Sequence, residues 1–194
     1  MRRRDEGFTL VELLVSISIL SVIMVPLSGA VILLLRNNGT TTNRIAAAHD
    51  EFMLSSYWPT DVQSATTVST TDTTSCPATV AGSSLVVRLR STDTDASNVV
   101  VTKVVAYYSV PAGAGSDAQL LREYCDDAGS TGTLAVRNTV PVTHQLTGAA
   151  VACFSSTGTD TTSAGCTPVT TATLTLTSAT AVSAVTLTGR RRSQ

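Results

Sequence analysis

The sequence predicts an α+β fold in which a long N-terminal α-helix crosses a membrane with its first half and packs its second half on an antiparallel β-sheet. Three observations carry this expectation. From Phe8 to Leu35 there are 28 residues in which Glu12 is the only charge, more than the roughly 20 needed to cross a hydrocarbon core. Further on, Ile45, Ala48, Phe52 and Met53 fall at helical spacing and predict one apolar stripe over about Asn43 to Tyr57 that covers a sheet. After residue 60 the chain is dominated by Thr, Ser, Ala and Val, and aromatic residues are only 4% of the whole, a usage that suits half-buried strands and polar turns.

The apolar run is preceded by Arg2, Arg3 and Arg4, then Asp5, Glu6 and Gly7. This basic end is expected to stay in the cytoplasm and the remainder to lie outside. A secretory signal peptide has an apolar core of about 7 to 15 residues with a small-residue cleavage site behind it, whereas this run continues through Ile32, Leu33, Leu34 and Leu35. A plain membrane anchor fits the length but leaves Glu12 unexplained. A charge at membrane depth costs about 2.5 to 3.5 kcal/mol even on lenient insertion scales, so Glu12 is expected to have a partner.

Gly7, Phe8, Thr9, Leu10, Val11, Glu12 and Leu13 resemble the processing motif of type IV pilins and type II secretion pseudopilins. The resemblance implies a pilin-like fold, with cleavage between Gly7 and Phe8 by prepilin peptidase and N-methylation of Phe8. It also implies a partner for Glu12, the terminal amine of a neighbouring subunit, in an ion pair that fixes axial register inside a filament. The expected division is then a leader at 1–7, a long helix at 8–57 that spans the membrane at about 8–35, and an extracytoplasmic β-rich domain at 58–194. Expected partners are prepilin peptidase, other pilin or pseudopilin subunits and the membrane, with no cofactor, metal or small-molecule substrate. Tyr57 to Asp61, LVVRL, VVAYYSV and LLREY are similar to the helix end and early strands of J-type minor pseudopilins.

Pro26 and Gly29 lie inside the apolar helix, where an interior proline removes one backbone hydrogen bond and crowds the preceding turn. A kink or local melting is expected there, and the family resemblance implies an unwound segment at this place in the assembled filament. Asn37 to Thr42 form a second weak point because of their low helix propensity. Pro59 is expected to end the helix, and Thr60 to Ser84 reads as a long surface connection.

Strands are predicted at Leu85–Arg90, Val99–Val110, Gln119–Tyr124, Ala150–Ser155, Thr170–Thr177 and Ala181–Thr188. The order TATLTLT from Thr171 puts Ala172, Leu174 and Leu176 on one face and threonines on the other, as in a strand with one buried face. Pro111 to Ser116 and Asp126 to Ser130 read as turns. Cys76, Cys125, Cys153 and Cys166 all fall in the exported part, where disulfides form. Of the three pairings, one joins Cys153 to Cys166 around a Gly/Ser/Thr-rich loop and Cys76 to Cys125, clipping the start of the domain to its middle.

Charge and motifs narrow the function. Thirteen Lys and Arg against 14 Asp and Glu give a net charge of -1, and loss of the leader shifts it to about -2. Such a chain has no basic field for nucleic acid. Arg190 to Arg192 is a short charge run that reads as a solvated tail. No nucleophile elbow, phosphate-binding loop or paired-histidine zinc motif occurs. His49 borders acidic residues on the helix, and His144 would suggest an enzyme only if a pocket gathered it with acids. The acidic loops at Asp93 to Asp95 and Asp126 to Asp127 offer oxygen ligands for calcium but not the six to eight it takes. The reading is a structural, minor subunit of a pilus or pseudopilus, with a filament-tip module for DNA uptake or adhesion as the alternative.

Overall fold

The computed structural model describes residues 9–72, 76, 78–94, 96–111, 118–127, 133–167, 169–178 and 184–192. The chain divides into two compact units, Met1–Ile45 and Ala46–Gln194. One helix, α1 (Leu10–Ser64), contributes to both.

In the first unit α1 is long and apolar enough to cross a membrane, and none of its apolar stretch is buried. Hydroxyls within it bond back to the helix: Ser16, Ser18 and Ser28 donate to the carbonyls of Glu12, Leu14 and Met24, four residues earlier. Each hydroxyl is thereby satisfied without water, as an apolar surrounding requires. The helix runs through Pro26, Gly29 and Asn37 to Thr42 without interruption in the single chain, where the sequence predicts loosening. A proline deletes only one ladder bond, and Thr41 and Thr42 donate to the carbonyls of Asn37 and Asn38, adding bonds at the second weak point.

The second unit combines the last turns of α1 with seven antiparallel strands, counted among the described residues, that neighbour one another in chain order. They are β1 (Thr67–Ser69), β2 (Ser84–Thr94), β3 (Val100–Val110), β4 (Ala118–Asp126), β5 (Ala135–Phe154), β6 (Thr171–Ser178) and β7 (Val185–Arg190). A short 3-10 turn spans Thr162–Ala164. Leu54, Trp58 and Val62, four residues apart, are fully buried and pack with apolar residues of the strands, among them Leu89, Tyr107, Leu120 and Leu174. Each such side chain contributes about 1.5 to 3 kcal/mol by leaving water. At Gly189 of β7 an added Cβ would lie 2.5 Å from Val62 Cβ, so glycine is what lets helix and strand approach this closely.

Three expectations are corrected here. The helix ends at Ser64 and not at Pro59, because Trp58, Asp61 and Val62 are buried and their packing outweighs the one bond the proline forfeits. The predicted stripe is on the wrong side: Ile45 and Phe52 are 65% and 69% exposed. Two apolar faces compete on this helix, and the one carrying Trp58 wins because the sheet offers it a larger apolar contact and a cation for Asp61. Third, the segment from Thr60 to Ser84 is not merely a surface connection, since it carries β1 and the buried Ala65, Val68 and Cys76.

β5 is much longer than the predicted Ala150–Ser155. Residues 135–146 pair with β4 and residues 146–154 pair with β6, so most of the strand is paired on one side at a time. That explains how Pro141, which cannot donate to a ladder, sits inside a strand: it pairs with Leu121 of β4 and lies outside the stretch that joins β6,. The turns predicted at Pro111 to Ser116 and Asp126 to Ser130 fall largely on residues 112–117 and 128–130, and the start of the last predicted strand on residues 181–183, outside the described residues.

Candidate functional site

The N-terminal end of α1 is where the sequence concentrates its functional residues. The leader, with Gly7 and Phe8 of the expected cut, lies outside the described residues. The next residue, Thr9, stands at the N-cap position, its hydroxyl accepting the Glu12 N–H at 3.3 Å and lying 3.5 Å from Glu12 Oε2 as a donor. Thr9-Leu10-Val11-Glu12 thus has the S/T-x-x-E spacing and the hydroxyl half of a capping box, with the return contact made to the Thr9 hydroxyl,. The spacing was present in the sequence, yet the role of Thr9 was not read from it. The cap places the carboxylate at the positive end of the helix dipole and on its surface, since Glu12 is exposed among exposed Leu10, Val11, Leu13 and Leu14.

Residues 2–28 match the family model described as the prokaryotic N-terminal methylation motif. The chain carries the prokaryotic N-terminal methylation motif. This motif is the hallmark of type IV pilins and pseudopilins that prepilin peptidase processes. The match covers a small part of the chain, and comparison with curated proteins and with solved structures finds no match.

Away from the methylation motif, the second unit holds a buried polar junction between α1 and the sheet. Arg122 of β4 donates from Nε and a terminal nitrogen to the two oxygens of Asp61 of α1, each at 2.7 Å, and the Tyr107 hydroxyl of β3 donates to Asp61 at 2.6 Å. The guanidinium also lies 4.7 Å from the centroid of the Tyr57 ring, and Trp58 meets Tyr107 edge-on at 5.6 Å. Burial works against the charge of Arg122, but the hydrogen bonds and attraction of Asp61 outweigh it and hold its pKa above the ordinary value. The phenol of Tyr107 is pushed well up by burial and then by the Asp61 charge. A bidentate, nearly dry pair of this kind fixes the rotation of the helix on the sheet.

On the other side of β3, Tyr108, Val104 and Ala106 form a smaller cluster with Cys76 and Cys125. Cys76 is bonded to Cys125, and Cys153 to Cys166. Arg88, 2% exposed, donates to Tyr108 Oη at 2.7 Å and to the Cys76 carbonyl at 3.1 Å, and pairs with Asp72 at 3.3 Å. Glu123, fully buried, accepts the Thr79 N–H at 2.9 Å. Both charges are held mainly by the segment that the Cys76–Cys125 bond ties to β4.

The remaining candidates are dispersed. His144 Nδ1 lies 3.0 Å from Asp50 Oδ1, and its backbone N–H donates to Asp50 Oδ2 at 2.8 Å. Asp50 and Glu51 line a cavity with Thr143, Gln145 and apolar side chains. That cavity is about 50 Å³, far below the 300 Å³ or more of ordinary ligand sites, and the Thr143 hydroxyl already accepts the Leu120 N–H. His144 bonds Asp50 but is not among the residues that line this cavity. Among the acids suggested for calcium, Asp93 pairs with Lys103 and Asp126 with Arg137, each at 2.7 Å, while Asp127 accepts the Thr102 N–H and Asp95 lies outside the described residues. The hydrogen bond from Lys103 lowers the Asp93 pKa. Among the described residues no group of three or more His, Cys, Asp or Glu is arranged to hold a metal.

Proposed function

We propose that the chain is a structural subunit of a type IV pilus or a type II secretion pseudopilus. Prepilin peptidase cuts between Gly7 and Phe8 and methylates Phe8, and the subunit assembles through α1. The methylation motif over residues 2–28 is the observation that carries this reading. In the filament, Glu12 pairs with the amine of Phe8 on a neighbouring subunit, while Pro26 and Gly29 provide the point at which the helix unwinds on assembly. The exposed cap geometry supports this role, because it presents the carboxylate outward with only Thr9, among the described residues, bonded to its side chain, and a carboxylate in lipid gains most by meeting a cation.

The subunit spans the cytoplasmic membrane once, with its N-terminus inside and the β-rich domain outside, and it enters an extracytoplasmic filament. Two disulfides support an oxidising location for that domain. A bulky, disulfide-bearing domain favours a minor subunit over a major one. Intact-mass measurement and N-terminal sequencing of protein recovered from membranes test the reading: a start at methylated Phe8 is expected, and any other start sinks it. Glu12→Ala is expected to leave insertion and cleavage intact and to impair assembly; normal filaments from that variant would remove the proposed ion pair.

A further inference from the structure

The charge run at Arg190 to Arg192 and the small acidic-rimmed cavity are two surface features the proposed function leaves unused. They lie at opposite ends of the same strand. Val185, at the start of β7, lines the cavity, and Arg190 is the last residue of that strand. A step of five residues in extended chain puts them about 17 Å apart. The helix gives an independent ruler. Asp50 lines the cavity and Val62 sits against Gly189, and the step of twelve residues from one to the other rises about 18 Å along α1.

The basic run is tied down through its middle residue. Arg191 donates its backbone N–H to the Thr170 carbonyl at 2.8 Å and its guanidinium to the Val169 carbonyl at 3.1 Å, which leaves Arg190 and Arg192 exposed on either side. At the other end the cavity has apolar walls from Leu54, Leu146, Leu176 and Val185 and carries the carboxylates of Asp50 and Glu51. Its volume of about 50 Å³ suits the end of one side chain. An arginine has the matching form, an apolar stem below a cationic head that takes carboxylates in a fork. His144, bonded to Asp50, is the nearby group that opposes a cation when protonated.

We propose that the acidic-rimmed cavity receives an arginine of the Arg190–Arg192 run, foremost Arg192, from a second copy of this chain. Because the donor and acceptor patches are different surfaces of the same molecule, the contact is heterologous and forms wherever two copies of this chain stand side by side. The inference rests on the filament-subunit reading for its setting, and it adds where the β-rich domains of adjoining copies touch.

Full-length Arg192→Lys protein, half of it isotopically labelled, is to be mixed in detergent, co-reconstituted into vesicles and treated with a carbodiimide, which joins carboxylates to amines in contact. The expected result is a peptide linking Glu51 of one isotopic copy to the amine at position 192 of the other, lost in the double variant with Glu51→Gln. Absence of that hybrid peptide, links confined to single copies, or links that persist unchanged in the Glu51→Gln background overturn the proposal. The mass of the N-terminal peptide from the same sample separates the two readings. Methylated Phe8 without the hybrid link leaves the subunit reading standing and removes this contact, whereas the link with an unprocessed N-terminus does the reverse.

Discussion

Two carboxylates on α1 are provided for in opposite ways. Glu12, in the first unit, is exposed and, among the described residues, has only the weak hydroxyl contact of Thr9 at its side chain, while Asp61, in the second, is 6% exposed and accepts three hydrogen bonds from Arg122 and Tyr107. The same contrast holds for apolar groups. Leu13, Ile17, Leu20 and Leu34 are all more than half exposed, whereas Leu54, Trp58 and Val62 are wholly covered. The second unit pairs Asp61 within itself and closes its own core, although Arg88 Nε and Glu123 Oε2 are buried there without a hydrogen-bond partner among the described residues; the first has its partners still to come, in lipid and in neighbouring chains. One helix therefore carries an assembly half and a folding half, and substitutions in each should be felt in different measurements.

The sharpest way to break this division is Asp61→Ala in the full chain. Removing one member of a buried pair costs about 3 to 5 kcal/mol, and denaturant unfolding followed by Trp58, the only tryptophan, should show that loss while membrane insertion and cleavage at Gly7 stay normal. If processing fails along with stability, the two halves are not independent.

Effects of comparable size are expected from the disulfides. The chain-entropy relation gives about 4 kcal/mol for the Cys76–Cys125 bond, with a separation of 49, and about 3 kcal/mol for Cys153–Cys166, with a separation of 13,. Replacing Cys76 and Cys125 by Ser also loosens the segment that holds Arg88 and Glu123, so the gap between the two double variants should be wider than the entropy relation allows. Equal losses would show that those buried charges keep their partners without the covalent tie.

Alkaline titration probes the same junction more gently. The Tyr107 pKa in the folded chain lies well above its ordinary value of 10.0. Above pH 10 the unfolded chain releases that proton while the folded one keeps it, so the stability it contributes is complete below pH 10 and is lost as pH rises toward the folded pKa. Burial raises Tyr108 and Tyr124 as well. Tyr107→Phe should therefore reduce the alkaline fall in stability without abolishing it, as read from melting temperatures between pH 9 and pH 11. The smallest effect belongs to Phe52→Ser, on the exposed face of the helix, which should change unfolding stability by no more than about 0.5 kcal/mol. A loss of several kcal/mol would mean that this face is covered.

Local signals accounted for much of the architecture. The alternation of Ala172, Leu174 and Leu176 with threonines located β6 to within a residue of its observed start, and the Val-rich stretch before Val110 located β3. The misses share a cause, which is that each depended on a partner distant in sequence. The first half of β5, from Ala135, lacks a clean alternation and contains Pro141, and it is a strand because β4 pairs with it. β1 is three residues long, too short for any period. The choice between the Phe52 and Trp58 faces of α1 was made by Arg122, 61 residues away from Asp61. At the N-terminus the Thr9 cap is legible in the T-x-x-E spacing, which needs no distant partner,.

By itself the sequence determined what is local and periodic: a helix long and apolar enough to cross a membrane, a single carboxylate four residues into it, the methylation motif around Gly7 and Phe8, and a run of β-branched strands. These follow from hydrophobicity and spacing within a few turns of chain, so no folded context is needed to read them. Only the tertiary structure decided which face of α1 is buried, how far past Pro59 the helix runs, which strands flank each half of β5, and that Asp50 and Arg192 stand near opposite ends of β7. Each of those outcomes rests on contacts between residues far apart in sequence, where burial of Trp58 and the pairing of Asp61 with Arg122 outweigh the local preferences of the chain.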